Sequence, residues 1–139
     1  MSESGVFDHK THRQLIGRVG EDAVARRYAE MGFSVVARNL HLSHTEIDLI
    51  LQNETHLVFV EVKTRHTAPN TPTYFGRPAA AINKEKRERM RKAAEDYLRE
   101  HPTHLQPRID VAEVYMTKLP DGTDTVTEIL IFPAAYAGR

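Results

Sequence analysis

The sequence predicts a mixed α/β sheet covered by helices, in the order helix, three strands, helix, two strands. Three observations lead there. Two stretches, about Arg13 to Met31 and Lys84 to Glu100, carry apolar residues at the helical period. Short runs rich in Val, Ile, Leu and Phe, bounded by Gly, Asn and Pro, read as strands. The strands are grouped three before the second helix and two after it, which points to a mixed sheet rather than an all-parallel, doubly wound arrangement.

The first helix presents Ile16, Val19, Ala23, Val24 and Tyr28 on one side and stops at Gly32, with Thr11 available as its cap. Gly17 and Gly20 lie inside it, where each disfavours the helix by up to about 1 kcal/mol relative to Ala. They imply either a close approach to the helix surface or a weak first turn. A short strand follows at about Phe33 to Arg38, then a connection through Asn39 to Thr45. In the second strand, Glu46 to Leu51, alternation puts Ile47, Leu49 and Leu51 on one face and Glu46, Asp48 and Ile50 on the other. The turn Gln52 to Thr55 leads into Leu57 to Lys63, with Val58, Val60 and Val62 opposite Leu57, Phe59, Glu61 and Lys63. That strand begins apolar on both faces and becomes charged on one face at its end, the pattern of a buried strand opening into a cleft. Thr64 to Gly76 reads as a long loop, and a helical region from Pro78 is interrupted near Asn83. On the second helix Met90, Ala93, Ala94, Tyr97 and Leu98 form the inward stripe, with Lys86 one turn earlier on the same stripe. The last strands are Arg108 to Met116 and Val126 to Phe132, joined through Leu119 to Gly122.

A chain of 139 residues, 40% hydrophobic and 27% charged, has the composition of one compact domain. The expected organisation is a tail over 1–12, a single domain over 13–132 and a carboxyl-terminal tail over 133–139. No cysteine is present, so zinc ribbons, thiolate nucleophiles, disulfide scaffolds and iron-sulfur clusters are excluded. The amino terminus lacks a secretory core and no apolar run would span a bilayer, so a cytoplasmic location without membrane association is expected. Formal charge is zero, yet residues 63 to 92 carry nine basic and two acidic side chains. Such a region steers a polyanion, although a solvated charged helix gives the same count.

The sharpest constellation is Asp48, Glu61 and Lys63, which share one side of the sheet if the apolar faces agree. Two carboxylates held together suit a hard divalent cation, Mg2+ or Mn2+, and a lysine beside it suits phosphodiester hydrolysis. The alternative is an exposed edge of alternating charges in which Glu61 and Lys63 form salt bridges. Arg65 follows the site and suits a non-scissile phosphate. Lys84, Arg87, Arg89 and Arg91 extend a backbone track or point to water. Tyr74 and Phe75 either stack on an unpaired base or pack the loop. Glu46 either orients the lysine or a water, or forms a structural salt bridge. None of the eight histidines sits in a metalloprotease motif.

The runs EIDLI at Glu46 to Ile50, VFVEVKTR at Val58 to Arg65 and GRVGEDAVARRY at Gly17 to Tyr28 together resemble the YraN-like family of small bacterial proteins. That family is similar to a branch of the PD-(D/E)XK nuclease superfamily, close to the archaeal Holliday-junction resolvases. The resemblance spans about Leu15 to Val114 and implies a restriction-endonuclease-like core. It places the motif acids on Asp48 and Glu61 and the motif lysine on Lys63. It further implies an additional site and metal carboxylate at Glu21, a second-helix lysine at Lys86, and a fourth-strand aspartate at Asp110. One departure is Thr45, preceded by His44, where the family usually has Gly before the EID run.

The leading expectation is a divalent-metal-dependent DNA endonuclease selective for branched or flapped forms, using Asp48, Glu61, Glu21 and Lys63 for chemistry. Arg65, Lys86, Arg87 and Arg91 would then contact nucleic acid. The alternatives are a nucleic-acid-binding protein of the same fold with little or no cleavage, and an accessory protein that uses the fold for protein contacts. A resolvase would also require two copies of the site, hence a homodimer.

Overall fold

A computed structural model describes residues 12–67 and 84–134. Residues 1–11 of the expected tail over 1–12, residues 135–139 of that over 133–139, the Thr11 cap, most of the Thr64 to Gly76 loop with Tyr74 and Phe75, and the interruption near Asn83 lie outside the described residues. Helix α1 spans His12–Glu30, followed by strands β1 (Ser34–Leu42), β2 (Thr45–Gln52) and β3 (His56–His66). Helix α2 (Lys84–Glu100) then leads to β4 (Gln106–Lys118) and β5 (Asp124–Phe132). This is the expected order and the core of the PD-(D/E)XK fold.

The five strands lie in the order β1-β2-β3-β4-β5, antiparallel except for the parallel β3 and β4, which α2 connects. A parallel pair needs such a crossover, whereas antiparallel neighbours need only a turn. Alternation along the strands then produces two cores. Val24, Ala25 and Tyr28 of α1 bury Leu49, Leu51, Val58, Val60, Ala112, Val114 and Met116 on one face. Met90, Ala93, Ala94 and Tyr97 of α2 bury Ile47, Ile50, Leu57, Phe59 and Val111 on the other.

Three expectations need correction. The connection from Asn39 to Thr45 is mostly strand: β1 continues to Leu42 and turns through Ser43 and His44 into β2. The helix-breaking and polar character of Asn39, Ser43 and His44 suggested a loop. Instead these residues absorb left-handed backbone (φ 49°, 49° and 68°), which Asn tolerates better than most residues. The positive φ therefore falls on Ser43 and His44, while Thr45 sits buried in β2 without one. Val19 is exposed rather than packed, because the α1 stripe against the sheet runs through Gly20, Val24 and Tyr28, one turn apart. Ile47 joins the α2-side core with Ile50, against simple alternation, at the point where β2 has left β3.

A polar node locks the α1 side. Asp110, fully buried, accepts the Tyr28 hydroxyl at 2.6 Å, two Arg108 N–H groups at 2.9 Å each and the Ala134 N–H at 3.0 Å. Burial and the neighbouring Asp110 carboxylate hold the Tyr28 phenol protonated, its pKa raised well above the ordinary value. Asp110 thus ties α1, β4 and the segment after β5 together.

Candidate functional site

The sheet forks. Pairing between β2 and β3 runs from Gln52 and Leu57 to Leu49 and Val60, and ends there. Beyond it β2 stays with β1 as far as Thr45 and Leu42, while β3 stays with β4 as far as His66 and Met116. Asp48 and Glu61 are the residues one step past the last paired position, one on each arm. The Val62 N–H at the opening does not go unsatisfied: it donates to Asp48 Oδ2 at 2.8 Å.

Helix α1 enters the same fork with two consecutive residues. Gly20 lies against β3 so closely that a Cβ there would collide with Thr64 Oγ1, whereas Gly17 has open space around it. The close approach expected of the two glycines therefore belongs to Gly20. Glu21, the next residue, reaches the other arm, where Asn39 Nδ2 donates to its two carboxylate oxygens at 3.2 and 3.1 Å. Asp22 pairs with Arg38 at 2.8 Å. Glu46 meets His41, its cross-strand partner, at 3.8 Å.

From the α2 side come the lysines. Glu61 is buried, and its Oε2 lies 3.5 Å from Lys63 Nζ and 3.6 Å from Lys86 Nζ. The inward lysine on the α2 stripe has this carboxylate as a partner. Lys63 remains partly accessible, at 33%. Asp48 has a different environment: its carboxyl is pushed up to about 7, first by burial and then by the negative charges of Glu21, Glu61 and Glu46, with the Val62 N–H opposing. Glu21 is shifted upward too, mainly by burial, against the Asn39 hydrogen bond.

The remaining expected residues are more dispersed. Arg65 pairs with Glu113 at 3.5 Å, on the same strand face as Glu61 and Lys63. Arg91 reaches Glu88 on its own helix at 3.8 Å, and Arg87 is half-buried on α2. Asp110 stands on the opposite face, in the Tyr28 node described above, and does not join the fork. His101 stacks on Tyr97 and faces its carbonyl oxygen. Glu113 falls outside the motifs above, although an acid at the phase of buried Val111 in a largely apolar strand is a signal for a held charge.

Uncharacterised protein family UPF0102 matches residues 20–114, from the fork-facing Gly20 to β4. The chain belongs to this family, a branch associated with the PD-(D/E)XK superfamily. It is 42% identical to a UPF0102 protein of Solibacter usitatus over 107 residues, covering 75% of this chain and 77% of that protein. It is 33% identical to one of Caldanaerobacter subterraneus over 122 residues, covering 87% and 96%. Among solved structures, that of Pyrococcus furiosus SfsA in complex with Ca2+ aligns over 85% of this chain and 64% of its own, at 13% identity and a TM-score of 0.42. Within UPF0102 the matched region contains every fork residue named above, including Glu21, Asp48, Glu61, Lys63 and Lys86.

The carboxylates of the fork offer oxygen ligands, the chemistry that Mg2+ and Mn2+ prefer. Among the described residues no group of three or more His, Cys, Asp and Glu side chains is assembled to hold a metal ion. Mg2+ does not require one, since it keeps several waters and is commonly held by one or two carboxylates. Asp48, whose charged form is disfavoured first by burial and then by the charges of Glu21, Glu61 and Glu46, is the group that a divalent cation would relieve. Among the described residues no helix is long and apolar enough to cross a membrane.

Proposed function

We propose that this UPF0102 protein is a divalent-metal-dependent endonuclease that hydrolyses DNA phosphodiester bonds, acting on branched or flapped forms. The observation that carries the reading is the fork: Asp48 and Glu61 on its two arms, with Lys63 and Lys86 at Glu61. Asp48 and Glu61 would hold Mg2+ or Mn2+, with Glu21 as the third acid of the fork. When bound, such a cation supplies Lewis-acid stabilisation of charge on the phosphoryl oxygens. Lys63, partly exposed, places an ammonium where it orients the attacking water and offsets the negative charge that develops in the transition state. Lys86 holds Glu61 from the helix side. Arg87 and Arg91 on the same helix and Arg65 at the strand end supply contacts to flanking phosphates.

A nucleic-acid-binding protein with little or no cleavage is the second reading. It is favoured by the two lysines on Glu61 Oε2, which satisfy that carboxylate without a cation. Cleavage of duplex, single-stranded, flap and four-way DNA, with Mg2+ or Mn2+ and at a protein mass fixed by sedimentation, separates the readings. Metal-dependent nicking that is faster on flap or four-way DNA supports the first, and a dimeric active species supports paired cuts. Tight binding with no cleavage on any substrate supports the second.

A further inference from the structure

On the α2-facing side, β3 and β4 run side by side in register: Glu61 beside Val111, Lys63 beside Glu113 and Arg65 beside Tyr115. Val111 belongs to the core under α2. The next two rows are polar, and they contain a carboxylate that is almost wholly removed from water. The Glu113 side chain is 1% exposed, its Oε1 accepts the Tyr115 hydroxyl at 2.5 Å, and its Oε2 lies 3.5 Å from Arg65 Nη2. The Arg65 side chain is 41% exposed.

A buried carboxylate disfavours folding unless it is fully partnered, and a well-packed apolar side chain often serves stability as well or better. Stability alone therefore gives a weak reason for an acid at this position. Holding a guanidinium gives a stronger one, because a planar cation fixed along one edge keeps its orientation for a bidentate anion on another. Tyr115 completes the arrangement from behind. Burial and Glu113 push its phenol up to about 12, so it stays a donor throughout the neutral range.

We propose that Arg65, Glu113 and Tyr115 form a second phosphate subsite, in which Arg65 binds a backbone phosphate of nucleic acid next to the one at the fork, and Glu113 and Tyr115 are positioning residues for its guanidinium. The inference rests on the nucleic-acid reading of the fork. At about 3.3 Å per strand residue, Arg65 lies roughly 13 Å along β3 from Glu61, a spacing that suits a phosphate flanking the one at the fork. A phosphate contact of this kind carries no base information, so it should act equally on unrelated sequences.

The test is equilibrium binding of labelled duplex, flap and four-way DNA, each in two unrelated sequences, in EDTA to prevent cleavage, across a salt series. Arg65→Gln should weaken binding about tenfold on both sequences and lower the slope of log K against log salt by about one contact. Tyr115→Phe and the charge-preserving Glu113→Asp should each weaken binding about threefold in the parent and not at all in the Arg65→Gln background. A merely structural role would lower the unfolding midpoint in both backgrounds without that dependence on Arg65. If Glu113→Asp fails to fold, the Tyr115→Phe cycle decides. Unchanged affinity and salt slope in Arg65→Gln, or equal losses from Tyr115→Phe with and without Arg65, would overturn the subsite while leaving the fork intact. A parent that binds none of these DNAs at any salt concentration overturns both the subsite and the nucleic-acid reading of the fork.

Discussion

The Val62 N–H donates to the Asp48 carboxylate at 2.8 Å where β2 and β3 part, so the side chain of one arm replaces the ladder bond that the other arm loses. A sheet can open there without leaving a buried backbone donor unpaired. Burial, and then the negative charges of Glu21, Glu61 and Glu46, make ionisation of the same carboxylate unfavourable. Opening the sheet and creating an acidic locus are therefore one structural event.

Its first consequence is a pH dependence of stability. Folding raises the Asp48 pKa from 3.8 to about 7, so the neutral form favours the fold. That contribution is complete below the unfolded value and is lost as pH rises through about 7. In metal-free buffer the protein should be less stable at pH 8 than at pH 5, with Asp48 contributing on the order of 2–4 kcal/mol to the difference. Urea unfolding at the two pH values measures this. Asp48→Asn should remove that share, and adding Mn2+ at pH 8 should stabilise the parent but not the variant.

A second expectation concerns Gly20. Replacing a helical glycine by alanine ordinarily stabilises, by about 1 kcal/mol. Here the new methyl would meet Thr64 Oγ1, and β-branched Thr64 has few rotamers with which to retreat. Gly20→Ala should therefore destabilise by about 1–3 kcal/mol. The same change in a Thr64→Ala background should be neutral or stabilising. Chemical denaturation of the four proteins checks this, and additive effects would show that the contact does not limit the approach of α1.

The Asp110 node gives a third. Tyr28→Phe removes one donor from a buried carboxylate and should lower stability by about 1–3 kcal/mol. Because Asp110 faces α1 and stands outside the fork, DNA affinity of the folded variant should be unchanged. A selective loss of affinity at undiminished stability would place the node in the site after all.

Much of this was legible in the chain. The α2 boundaries and stripe follow from Met90, Ala93, Ala94 and Tyr97 at helical spacing, and packing on that stripe agrees with the local pattern. That Glu61 and Lys63 lie together follows from alternation along β3, and their side chains meet at 3.5 Å; along β2 the phase is broken at Ile47, beside Asp48. What alternation could not supply was the fork, because periodicity describes one strand and says nothing about where two strands cease to pair. The β1 extension was hidden for a related reason: Asn39, Ser43 and His44 take left-handed backbone without glycine. Arg65 stands out in the chain as a basic residue just past Glu61 and Lys63, but Glu113 and Tyr115 are brought beside it only by the parallel register of β3 and β4.

The most direct test of the central claim is single-turnover cleavage of a flap or four-way DNA at saturating Mn2+, comparing the parent with Asp48→Asn and Lys63→Met. Each variant would first be checked for folding and DNA binding. Asp48→Asn keeps the size and the acceptor for Val62 while removing the charge, and Lys63→Met keeps most of the stem while removing the ammonium. The account predicts that the parent cleaves and that each folded, DNA-binding variant cleaves at least about a hundredfold more slowly. A parent that cleaves with both variants equally fast would contradict it.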